Sequence, residues 1–151
     1  MAPTATPTPI RKQVSFTEEY LSRLGYEYGY SVAHWPGTEV TLVTANVQAD
    51  GEVYWKMSVD LYAGDTMIEV IPVMGTRVVV ENGRVLFPVF DLQWLGFQFN
   101  PDRLSGPHRE AIFGLQEGVS AALDRELLDL GWVPVAVSAD DQKITVTVEQ
   151  R

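Results

Sequence analysis

Residues 53–62 read VYWKMSVDLY, and the fold follows from how that stretch is read. Val53, Trp55, Met57, Val59 and Leu61 occupy one phase of a two-residue period, with Tyr54, Lys56, Ser58, Asp60 and Tyr62 in the other. Side chains alternate across a strand, so this unbroken run predicts a β-strand with its apolar phase turned inward. Upstream, the run through Val40 and Leu42 to Val47 predicts a second strand, joined to the first by Asp50-Gly51, a tight-hairpin dipeptide. Downstream, Ala63-Gly64-Asp65 turns the chain into TMIEVIPVMGTRVVV (66–80), and Asn82-Gly83 turns it again into RVLFPVF (84–90). Strands joined by such short connections form an antiparallel meander. Pro72 and Pro88 lack a ladder donor and belong at edges or bulges.

The period changes to that of a helix on both flanks. Ser15 with Glu18 makes a capping box, Thr17 is a competing cap, and Glu18 and Glu19 suit the positive end of a helix dipole. Phe16, Tyr20, Leu21, Leu24 and Tyr28 recur at helical spacing, which predicts a helix over 16–30 weakened by Gly25 and Gly29 and closed by Pro36-Gly37. Beyond the strands, Asn100-Pro101 and Ser105-Gly106-Pro107 both read as helix starts. Ile112, Leu115, Val119, Ala122, Leu123, Leu127 and Leu130 then keep three-four spacing up to Gly131, a left-handed stop. The other face, Glu110, Glu117, Asp124, Glu126 and Asp129 with Arg109 and Arg125, is expected to be solvated. VPVAVSADDQKITVTVEQR (133–151) closes the chain as two β-rich runs about Asp140-Asp141. The expected class is α+β: a curved antiparallel meander packed against an N-terminal helix and a long helix in the C-terminal half.

Composition narrows the function. The chain has 151 residues, 46% hydrophobic and 21% charged, with a formal net charge of −9 and no cysteine. Those values fit one domain with its own core and exclude disulfide scaffolds and thiol catalysis. An acidic surface repels phosphate, so nucleic acid is not an expected partner. Arg11 and Lys12 are the only charges in residues 1–14. Alternating Ala, Pro and Thr favour an extended, solvated chain. Residues 1–14 are therefore expected to be a flexible tether, following an export or lipoprotein signal, with a single domain over 15–151. The opening MAPTATPTPIRK has neither the apolar core nor the cleavage site of a signal peptide, and no apolar run reaches the length of a membrane span.

The residues advertise no reaction. His34 precedes Trp35-Pro36, His108 opens a helix, and neither has a sequence partner for nucleophilic or metal chemistry. The apolar side is more informative. Trp55, Phe87, Phe90, Trp94, Phe97 and Phe99 fall in the sheet region with Met57, Met67 and Met74. Aromatics and methionines fill irregular volumes, which suits either an ordinary core or a cavity for acyl chains.

Four stretches resemble a known pattern. TEEYLSRL (17–24), ADGEVYWKMSVDL (49–61), VVVENGRVLFPV (78–89) and WLGFQFNPDRL (94–104), followed by the closing VAVSADDQKITVTV, resemble in order a family of bacterial extracytoplasmic lipid-binding lipoproteins and anchored domains. That family includes the mycobacterial mannan-elongation lipoprotein and is similar in fold to the tubular lipid-binding (TULIP) superfamily. Ser22 stands where the family commonly has asparagine, and Gly25 interrupts its leucine run. The resemblance implies a non-enzymatic protein at the cell envelope, membrane-anchored, holding a lipid or other amphiphile in an apolar channel between sheet and helices. It implies no cofactor and no catalytic residue. Alternation supplies the expected lining: Trp55, Met57, Val59, Trp94, Phe97 and Phe113. Two other readings stand beside it: a protein-interaction domain with a filled core, and a small enzyme using His34 or His108 with a carboxylate.

Overall fold

The alternating stretch becomes the long strand around which the molecule is built. The computed structural model describes residues 9–32, 38–94, 97–99, 106–140 and 142–150, without the side chains of 28–32, 38, 61, 63, 94, 97–99 and 106–113. In chain order the elements are β1 (Arg11–Thr17), α1 (Glu18–Val32), β2 (Thr38–Val47), β3 (Glu52–Ala63), β4 (Thr66–Val70), β5 (Val73–Arg77) and β6 (Val79–Glu81). β7 (Arg84–Leu86), β8 (Val89–Trp94), β9 (Phe97–Phe99), α2 (Gly106–Leu128), β10 (Trp132–Asp140) and β11 (Lys143–Gln150) follow. The class is α+β, with antiparallel pairing throughout the described ladders.

The strands divide into three open sheets. The largest has the order β2-β3-β5-β8-β9, with β4 also on β3; β1-β11-β10 form a second, and β6-β7 a two-stranded ribbon. One register runs through both β4 and β5 against β3, so these are halves of a single strand interrupted at Ile71-Pro72. Pro72 cannot donate, but its carbonyl accepts from Met57 N at 3.1 Å, which keeps the hairpin in phase. Pro88 behaves alike beside the bulge in β8, its carbonyl accepting from Arg77 N. Both prolines thus lie at interruptions, as their missing donors require. Asn82 and Gly83 turn with φ of 53° and 72°, the left-handed pair a two-residue hairpin demands.

The tether boundary needs correction. Residues 11–14 belong to β1, which pairs β11 from Arg11↔Glu149 to Thr17↔Lys143. Their strand character comes from a partner far along the chain, which local composition does not reveal. The same pairing draws Ser15 into the strand, where its hydroxyl meets Thr145. Thr17 caps α1 instead, its Oγ1 accepting from Tyr20 N at 3.1 Å, so the helix begins at Glu18 and not at residue 16.

The inward phase of β3 is the floor of the core. Val53, Trp55, Met57 and Val59 are buried with Val43, Ala45, Met74 and Leu92 of the same sheet. Leu115, Val119, Leu123 and Leu127 join the same buried cluster from α2, which lies against α1 and β7, as the three-four spacing predicted, and Gly131 stops the chain's helical course at φ 80°. α1 is bound to the edge of β2 by two side chains. Ser22 Oγ accepts from Ala45 N at 2.8 Å while donating to the Glu18 carbonyl, and Glu18 Oε1 accepts from Val47 N at 3.0 Å. Gly25 explains itself here too: a Cβ at that position would stand 2.8 Å from Val43 Cγ1 and 3.1 Å from Trp55 Cζ3. The helix approaches the sheet as closely as a glycine permits.

Tyr20 ties α1 to α2 by donating its hydroxyl to Glu126 Oε2. Burial first, then that hydrogen bond and the Glu126 charge, push its phenol up to about 12. A raised acid favours the protonated form in the folded state, so the contact stabilises fully below an ordinary phenol's pKa near 10 and is lost as pH rises through about 12. Ultraviolet titration is expected to show a phenol ionising near 12 that disappears in Tyr20→Phe.

Candidate functional site

Helical spacing puts a polar stripe on α2 where an apolar one would complete the core. Gln116, Ser120 and Asp124 recur every four residues, and all three are buried. They face the ribbon β6-β7 and the link into β8. Asp124 is satisfied: its Oδ2 accepts from Arg84 Nε at 2.7 Å, and its Oδ1 receives the Val85 amide. Asp124, expected among the solvated acids, is instead drawn inward by this cation and amide.

The other two members are not satisfied. Gln116 Oε1 and Ser120 Oγ are both buried and have no hydrogen-bond partner among the described residues. They line a hollow of about 430 Å³ with Arg84, Leu86, Phe87, Pro88 and Glu117. That volume lies in the range of small-molecule sites. One wall is apolar, from Leu86, Phe87 and Pro88, and the other carries the stripe. Arg84 lines the hollow with its side chain half exposed. A buried acceptor lacking a donor costs roughly 1–3 kcal/mol, so turning the Gln116 side chain until Oε1 meets a ligand N–H or O–H in the hollow recovers stabilisation.

No family model matches the chain, and no curated protein matches its sequence. The site therefore rests on its geometry. A larger hollow of about 700 Å³ opens at the start of α1, lined by Thr17, Glu18, Glu19, Asp140, Gln142 and Lys143. Its walls are polar, and Glu18 is already engaged with Val47. Among the described residues no group of three potential ligands is placed to hold a metal ion.

The lining expected from alternation is distributed differently. Trp55, Met57 and Val59 lie side by side in phase on β3, and all are buried in the core. Trp55 is 0% exposed. Its ring meets Phe87 edge-on at 5.6 Å, and its Nε1 donates to Thr76 Oγ1 at 3.1 Å. The three residues line neither of these hollows. Trp94 and Phe97 are register partners across β8 and β9, but their side chains and that of Phe113 lie outside the described residues. So do His34 and the side chain of His108. Gln116 and Ser120 are not among the expected lining residues. Their four-residue spacing, in step with Leu115, Val119 and Leu123, was the available signal.

Proposed function

We propose that the chain is a non-enzymatic binding domain that takes a small amphiphile in the hollow between α2 and the β7–β8 segment. The observation that carries this reading is the pair of unpartnered buried groups, Gln116 Oε1 and Ser120 Oγ, beside an apolar wall. A buried acceptor calls for a donating head group such as a hydroxyl or amide, and Leu86, Phe87 and Pro88 suit a short apolar tail. The domain's acidic excess favours neutral or cationic head groups over anionic ones. The likeness to envelope lipid-binding lipoproteins and the Thr/Pro-rich opening of the chain support an extracytoplasmic, membrane-proximal setting. No described helix is long and apolar enough to cross a membrane.

A short-chain monoacylglycerol is the direct probe. Native mass spectrometry is expected to show a one-to-one adduct, and thermal melting a concentration-dependent rise. Gln116→Leu separates binding from folding: it removes the unpaired acceptor and is expected to raise stability by about 1 kcal/mol while weakening uptake about tenfold. Denaturant unfolding and titration of the same variant check both. A variant less stable than the parent, or one binding the probe equally well, overturns the assignment.

A further inference from the structure

An unpaired strand edge presents a row of N–H and C=O groups that templates another strand. The β2 edge is covered, because Ser22 and Glu18 of α1 accept its Ala45 and Val47 amides. β4 has no such cover among the described residues and pairs β3 alone. Its register fixes which groups stand free. Met57 donates to the Pro72 carbonyl, so the odd-numbered residues of β3 bond towards this strand and their partners Val70 and Ile68 bond back. Met67 and Glu69 fall in the alternate phase and turn their backbone groups to the edge that has no neighbour among the described residues; Ile71, just past β4, shares their face. Further along the same register Arg77, in that phase, donates to the Pro88 carbonyl, which shows how the phase is satisfied when a neighbour is present.

The side chains of that phase state what the neighbour should be. Met67 is 53% and Ile71 41% exposed, with Glu69 between them. Glu69 stands directly opposite Asp60, and Asp60 opposite Glu39. Three acids therefore cross three strands, and no described ion pair engages any of them. Like charges directly opposite repel, whereas opposite charges attract. A second copy, itself carrying −9, would bring more acid to this edge. We propose that β4 is a docking edge for an extended peptide segment carrying one basic side chain flanked at alternate positions by apolar ones, which adds to the sheet as a further strand. The basic residue lies across from Glu69 and the apolar ones across from Met67 and Ile71. The pattern reads the same in both directions, so it holds for either strand polarity. It uses no residue of the α2 hollow and stands independently of the proposed ligand.

The blocked peptides Ac-TVTKTVT-amide and Ac-TVTETVT-amide test this by amide-resolved NMR titration of the full chain at low salt. The lysine peptide is expected to bind at least about tenfold more tightly, with shifts centred on residues 66–71 and slowed exchange at Met67, Glu69 and Ile71. Glu69→Lys is expected to invert the preference. Met67→Pro, which removes an outward N–H without touching the β3 ladder, is expected to abolish binding while leaving the remaining spectrum folded. Equal binding of the two peptides, shifts mapping elsewhere, or no binding at millimolar peptide overturns the proposal. Concentration-dependent shifts at these residues without peptide overturn it in favour of self-pairing.

Discussion

Trp55→Ala is expected to lower the unfolding free energy by about 3–5 kcal/mol, the cost of deleting a large aromatic from a packed interior. The residue is 0% exposed and lies against Phe87 on one side and the Gly25 turn of α1 on another. Most of the loss is cavity and contact energy. Thr76 keeps a partner when the indole is removed, because its hydroxyl still donates to the Val53 carbonyl at 2.7 Å. Trp55→Phe should therefore cost less than Trp55→Ala, since it retains most of the volume. Urea unfolding with an unchanged m-value measures both. A small loss accompanied by altered amphiphile uptake would instead place Trp55 on a channel wall.

Gly25→Leu is the converse experiment, adding volume where none is free. Its Cβ alone would stand 2.8 Å from Val43 Cγ1, and the rest of the side chain must displace Trp55 or lift α1. Overpacking of this kind costs about 1–3 kcal/mol. Leucine's better helix propensity offsets up to roughly 1 kcal/mol of that, so a net loss is expected. The two changes should not be additive. In the Trp55→Ala background the new leucine enters the cavity, and the double variant is expected to be more stable than the sum of the single effects by more than about 1 kcal/mol. Additive losses would mean that Gly25 and Trp55 do not share a space.

Legibility in the sequence followed the range of the interaction that decides each element. β3, its turns and the long helix were readable because alternation, Asn82-Gly83 and three-four spacing are local. β1 was not, because Arg11–Thr17 become a strand only through β11, and a Thr/Pro-rich prefix disguises them as spacer. The choice of Thr17 over Ser15 as cap followed from the same distant pairing. Ser22 and Gly25, departures from the resembled pattern, both lie where α1 meets β2 and β3. Trp55 shows the limit of composition: an aromatic in an inward phase looks the same whether it lines a space or fills one. Gln116 and Ser120 were hidden because a helix face rich in leucine draws attention to its apolar members.

The first strand waits for the last. β1 completes its ladder only with β11, and the ion pair between Arg11 and Glu149 joins residues 138 positions apart. During ribosomal synthesis at roughly 5–20 residues per second, β1 therefore emerges on the order of ten seconds before its partner exists. Until then Phe16, buried in the finished protein, has no β11 to lie against. Closing so long a loop costs entropy before the β1–β11 contacts offset it, so β1 is expected to dock late and to stay open to chaperone capture until then.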